Sequence, residues 1–131
     1  MSQKHVETIR SIYEAVNRRD WDAAFRDQQP DVELILPPGP HAGPFRGRDE
    51  IQEYWEGFMA AFDAATAEPE KVLESGDQVV VVVRTRARPK GSSAEVEVRN
   101  GHLWTIRDGK IASMRLFPEP EKALEAAGLT E

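Results

Sequence analysis

The segment RNGHLWTIRDGK, Arg99 to Lys110, holds the reading on which the fold turns. Apolar and polar side chains alternate along it, as they do on a strand with one face buried. It stops at Asp108-Gly109, a pair that accepts positive φ at both central positions of a tight hairpin turn. Val98, Asn100, His102, Trp104 and Ile106 then share one face. An amide, an imidazole and an indole in a row on an otherwise apolar face have two uses. They are pinned by hydrogen bonds in a core, or they line a cavity and touch a ligand.

Working outward, the strand extends back through SSAEVEVRNGHLWTIR, and KIASMRLFP after the turn is its partner. DQVVVVVRTRAR and, before it, AEPEKVLESG read as two more strands, with turns at Ser75-Gly76 and at PKGSS. A register pairing Arg86 with Glu95 and Arg84 with Glu97 sets opposite charges side by side on the outer face. The same register turns Val79, Val81 and Val83 inward with Val96, Val98, Asn100, His102 and Trp104. A one-residue slip would instead turn the arginines into the interior, where they could bind an anion.

Upstream the period changes. Val6, Ile9, Ile12, Tyr13 and Val16 recur at helical spacing over roughly residues 3–18. Asp20 is placed to cap a short second helix that buries Trp21, Ala24 and Phe25. DVELILP alternates, with Val32, Leu34 and Leu36 on one face. The stretch Pro37 to Gly47 holds four prolines and three glycines and is a loop. Ile51, Tyr54, Trp55, Phe58 and Phe62 mark a third helix. EPEKALEAAGL at the end is a short helix, with Pro120 in its first turn and Gly128 as its stop. Helices followed by an antiparallel meander describe an α+β domain, a curved sheet with helices packed on one face.

The bulk numbers narrow the function classes. The chain has 131 residues, read as a single domain over 1–131, with 40% hydrophobic and 31% charged residues. Its formal net charge is -6, and no basic stripe offers a surface to nucleic acid or an anionic membrane. It has no cysteine, hence no disulfide, thiol nucleophile or thiolate metal site. A polar start and the lack of a long apolar run make a cytoplasmic location the expectation. His5, His41 and His102 have no metal-ligand spacing, so no metal is expected. His41 is expected to be an exposed loop residue near the cavity mouth.

Several motifs in order carry a family resemblance: NRRDWD (Asn17–Asp22), a strand ending PPG, GRDEI (Gly47–Ile51), WTIRDGKI (Trp104–Ile111) and EKALEAAGL (Glu121–Leu129). Together they resemble the SnoaL-like branch of the nuclear transport factor 2-like, or ketosteroid isomerase-like, superfamily. The resemblance covers nearly the whole chain. It implies a cone-shaped, cystatin-like α+β fold, in which a curved antiparallel sheet wraps N-terminal helices and leaves an apolar cavity open at one end. It also implies a homodimer. Val80, Val82 and Leu103 would supply an apolar strip on the outer face for that association. Members of the superfamily include isomerases, polyketide cyclases, dehydratases and non-catalytic binders, so fold alone leaves the chemistry open.

The family's catalytic positions are largely vacated. On the resemblance, the isomerase base falls at Leu36 and its helix-one tyrosine at Ile12, with Tyr13 turned about 100° away around the helix axis. The isomerase's donor carboxyl falls at His102, as does the strand histidine of a SnoaL-type cyclase. The acid–base aspartate of such a cyclase falls at Leu116. Glu119 is the nearest carboxylate, and its other reading is a helix cap. No Asp-Arg-Asp set of an epoxide hydrolase falls on inner positions.

The expected cavity wall is Tyr13, Val16, Leu34, Leu36, Tyr54, Trp55, Phe58, Asn100, Trp104, Met114 and Leu116, with His102 as its acid–base or donor group. Three readings follow. The first is a pocket for a small, mostly apolar, aromatic or polyketide-like molecule, with cofactor-free proton-transfer chemistry if it is catalytic. The second is a non-catalytic binder using the same wall, and the third a dimerisation domain with a filled cavity. In either of the first two, His102 is expected to be neutral, with one ring nitrogen left for a ligand.

Overall fold

The computed structural model describes residues 2–38 and 44–129; His41 lies outside the described residues. The order is α1 (Ser2–Asn17), α2 (Trp21–Phe25), β1 (Gln28–Ile35), β2 (Phe45–Arg46), α3 (Gly47–Met59), β3 (Phe62–Ser75), β4 (Gln78–Pro89), β5 (Val96–Arg107), β6 (Lys110–Phe117) and α4 (Pro120–Ala126). One curved, unclosed sheet runs β2-β1-β6-β5-β4-β3. All neighbours are antiparallel except β1 and β6. That parallel pair, Leu34 beside Met114, joins the strands before α3 to the later meander.

Local chemistry explains the joints. Asp20 caps α2 by accepting the Ala23 N–H at 3.2 Å. Asn17 ends α1 and grips the edge strand β3: its amide donates to the Ala67 carbonyl at 2.8 Å and accepts the Ala67 N–H at 2.9 Å. The NRRDWD motif thus ties two helices to the sheet. Asp108 and Gly109 both take positive φ, 55° and 78°, as the β5–β6 hairpin requires. Pro69 sits on β3 at the sheet edge, where a missing N–H is tolerated, beside a register shift between Pro69 and Lys71.

Two apolar clusters occupy opposite faces. The larger joins Ile9, Ile12 and Tyr13 of α1 and Ile51 of α3 to Val32, Leu34, Val79, Val81, Val83, Trp104, Ile106, Ile111 and Met114. The smaller packs Val80 and Leu103 under Ala123 and Ala127 of α4.

Several expectations are corrected. The helices do not share one face: α4 crosses the outer side of the sheet. It covers Val80 and Leu103, and Val82 is also buried, so the strip expected to drive self-association is already occupied within the chain. Phe62 opens β3 rather than closing α3. The helix stops at Met59, yet Phe58 and Phe62 still meet, with ring centroids 5.2 Å apart. β3 begins before Ala67 because Ala64 to Thr66 find partners in Arg86 to Arg88 of the long β4. Phe45–Arg46, expected in a loop, adds a short edge to β1. β5 starts at Val96, with Ser92 to Glu95 left in the connection.

The register between β4 and β5 is shifted by two residues from the expected one. Arg86 lies opposite Glu97, and Arg84 lies opposite Arg99. An even shift keeps each side chain on its face, so the arginines point outward as expected. The apparent Arg–Arg clash is relieved by β3. Glu70 accepts from Arg99 at 2.8 Å and lies 3.5 Å from Arg84, and Glu68 accepts from Arg84 at 2.9 Å.

Candidate functional site

Between the helices and the inner sheet face lies a cavity of about 450 Å³, within the range of small-molecule sites. Every expected wall residue reaches it: Tyr13 and Val16 from α1; Leu34 and Leu36 from β1 and its end; Tyr54, Trp55 and Phe58 from α3; Asn100, His102 and Trp104 from β5; Met114 and Leu116 from β6. Glu119 does not. It sits exposed at the N-cap position of α4, making no side-chain cap bond, and is not part of the cavity wall. The chain therefore does not pair it with His102.

The open end is apolar and exposed. Phe58, Val96 and Val98 are 43%, 47% and 50% exposed and all line the cavity. Alternation pointed Val96 and Val98 inward, but that the helices stop short of covering them is a tertiary fact. Sequence reasoning also missed Phe62, Thr85 and Ala87 on this rim, although Thr85 and Ala87 continue the Val79-Val81-Val83 alternation. From Tyr54 an aromatic row runs toward the rim: Tyr54 to Trp55 at 5.0 Å, Trp55 to Phe58 at 6.1 Å, then Phe62.

The closed end carries the polar chemistry. His102 is the buried polar residue of the core. Tyr13 Oη lies 2.6 Å from His102 Nδ1, and the Trp104 indole N–H donates to the same oxygen at 3.0 Å. The two partner rings hold the phenol in place: His102 is nearly parallel to it, at 15°, and Trp104 stands edge-on, at 81°. Tyr13 is thus a pocket residue, bonded to His102 on the cavity wall.

Among the described residues, nothing hydrogen-bonds His102 Nε2, and only Arg84 Nε is a fully buried side-chain polar atom without such a partner. Nε2 therefore opens onto the cavity. The Asn100 amide also makes no hydrogen bond among the described residues. It lies two residues, about 7 Å, along the same strand face.

Burial sets the protonation states. It pushes the His102 imidazole down to about 4, and no charged side chain contributes to that shift. It pushes the Tyr13 phenol far up, against a smaller opposing effect of the Trp104 bond, and it raises the half-buried Tyr54. Glu33 is the only carboxylate on the cavity wall among the described residues, and it is ion-paired with Arg46. His5 is bonded to Glu74 at 2.8 Å, far from the site in sequence. No group of three or more metal-ligating side chains occurs among the described residues. Among the described residues, no helix is long and apolar enough to cross a membrane.

An α+β cone with its first three helices inside the curve and an apolar cavity at one end defines the ketosteroid isomerase-like, nuclear transport factor 2-like fold. Solved structures share it. TerC, crystallised with polyporic acid, is 24% identical with TM-score 0.80, covering 95% of this chain and 98% of that one. A putative SnoaL-like polyketide cyclase from Jannaschia sp. CCS1 is 21% identical with TM-score 0.76, covering 88% and 85%. RV0760c from Mycobacterium tuberculosis, in complex with estradiol-17beta-hemisuccinate, is 18% identical with TM-score 0.72, covering 86% and 92%. No curated protein matches the sequence. The SnoaL-like domain profile matches residues 9–114, and the chain belongs to that family.

Proposed function

We propose that this protein binds a small, mostly apolar molecule of aromatic or polyketide-like character, with the polar end of that molecule directed at His102. The observation that carries the reading is one unpartnered polar atom, Nε2, at the closed end of a cavity whose wall is otherwise nearly all apolar. A polar atom that meets only water at the end of an apolar pocket is offered a partner by a ligand whose apolar body also fills that pocket. That the neighbours TerC and RV0760c were crystallised with polyporic acid and estradiol-17beta-hemisuccinate agrees with a pocket of this kind.

Binding is favoured over turnover as the primary activity. Proton-transfer catalysis needs a base beside the reacting carbon, and the wall's one carboxylate among the described residues is held by Arg46. Leu36, at the isomerase base position, is buried and apolar. Isomerisation of a β,γ-unsaturated ketosteroid is therefore expected to be undetectable. Steroid turnover abolished by changing some other cavity residue would reveal a base overlooked here. If the chain forms a homodimer, as the family resemblance implies, its contact must use a surface other than the Val80–Leu103 strip that α4 covers. Light scattering measures that state.

The ligand test is direct, because all three tryptophans, Trp21, Trp55 and Trp104, line the cavity. Titration with polyporic acid and with estradiol-17beta-hemisuccinate should quench their emission saturably. Filling the cavity with Met114→Trp should weaken both responses. An interior that admits neither molecule, nor a flat aromatic ketone, would leave the reading without support.

A further inference from the structure

We propose that Tyr13 locks His102 in the tautomer that carries its proton on Nε2, so that the cavity offers a hydrogen-bond donor and selects a ligand with an acceptor oxygen. This rests on the cavity being the ligand site, but the tautomer itself can be read with no ligand present.

The argument is a count of protons and lone pairs around one oxygen. The Trp104 indole is donor-only, so at 3.0 Å it must give its hydrogen to Tyr13 Oη. The phenol has one proton of its own, and that proton also needs an acceptor once buried. His102 Nδ1, at 2.6 Å, is the acceptor in reach among the described residues. An Nδ1 that accepts carries no proton, and a neutral imidazole then holds its single proton on Nε2. The opposite tautomer would make Oη accept twice and leave the buried phenol hydrogen without a partner.

Among the described residues, no charged side chain shifts the ring's titration. Tyr13 bonds the ring from α1, Val81 of β4 and Leu116 of β6 pair with His102 across the sheet, Asn100 and Trp104 flank it on β5, and none of these is charged near neutral pH. Burial also keeps the ring neutral there.

The consequence is chemical selectivity. A neutral N–H donor in an apolar cavity polarises a carbonyl or stabilises a phenolate or enolate oxygen without giving up its proton. It offers nothing to a ligand group that can only donate. The ligand class is therefore a ketone, quinone or ionised phenol on an apolar frame. His102 in this tautomer cannot act as a base toward the ligand, because its lone pair is spent on Tyr13.

The test has two arms. Long-range proton–nitrogen NMR on histidine-labelled protein should find His102 with Nε2 protonated and Nδ1 bare. In Tyr13→Phe, where no phenol proton needs an acceptor, the ring should redistribute between tautomers while the fold is retained. A wild-type ring protonated on Nδ1 overturns the proposal whether or not the variant folds. In the second arm, 2-acetylnaphthalene should bind about tenfold more tightly than 2-ethylnaphthalene, and His102→Leu should erase the difference. Equal binding of the two probes to wild type overturns the selectivity. If neither probe binds although Nε2 is protonated, the ligand-site reading fails and the tautomer assignment stands.

Discussion

The two faces of β5 are built from alternate residues of one strand and treat polar groups in opposite ways. Outward, Glu97 and Arg99 join a lattice with Arg84, Arg86, Glu68 and Glu70 in which every charge meets an opposite one within 4 Å. Gly101 and Leu103 continue that face under α4. Inward, His102 has one nitrogen satisfied and one open, and Asn100 has no protein partner among the described residues. The outer face pairs every charge of that lattice within the protein, and even Arg84 Nε, which makes no hydrogen bond, lies 3.5 Å from a Glu70 oxygen. A face that leaves its polar groups open in an apolar setting has kept them for something else.

Trp104→Ala should break the comparison most severely. Loss of a buried indole costs about 3–5 kcal/mol in a closed core, and here the space opens into an existing cavity, so about 3 kcal/mol is expected in urea unfolding. A loss under 1 kcal/mol would mean that the inner wall is not tightly packed.

Acid should produce an effect of nearly the same size. His102 has a folded-state value of about 4 against 6.5 when unfolded. Between those values the unfolded chain takes up a proton that the folded chain refuses, so stability is complete above about 6.5 and falls as the pH drops toward 4. The loss is on the order of 3 kcal/mol. His102→Gln should flatten that part of the pH–stability profile, and an unchanged profile would mean that the ring is hydrated.

Gly101→Ala sharpens the contrast from the outer side. A Cβ there would stand 2.6 Å from the Ala123 Cβ and 3.1 Å from the Pro120 Cα. It should displace α4 at a cost of about 1–3 kcal/mol, with faster amide exchange in the helix while the cavity still binds its probes. Normal protection of α4 would contradict the close contact. Arg84→Gln should have the smallest effect. A melting-temperature loss that is slight and shrinks in high salt is expected of an exposed lattice, whereas a large, salt-independent loss would place Arg84 inside.

Much of this was legible in the chain. Period-two alternation assigned Val79, Val81, Val83, His102 and Trp104 to one face, because successive side chains on a strand must point oppositely. Asp20 and Asp108-Gly109 announced a cap and a turn through their own backbone chemistry. Glu119 misled because distance along the chain says nothing about side: the strand before it and the helix after it carry it out of the cavity. The Val80–Leu103 strip misled in a related way, since alternation shows that a face is apolar but not what covers it.

The sequence by itself determined most of the elements, though not the short edge at Phe45–Arg46 or the start of β3 at Phe62, and which strand residues point inward and outward. These depend on local backbone geometry and on residue identity, which are complete in the chain. Only the tertiary structure decided the two-residue register between β4 and β5, the placement of α4 on the outer face, and the bond from Tyr13 to His102. That bond joins residues 89 positions apart. It forms because the curved sheet and α1 close on each other at one height, and that is a property of the whole packing rather than of any segment.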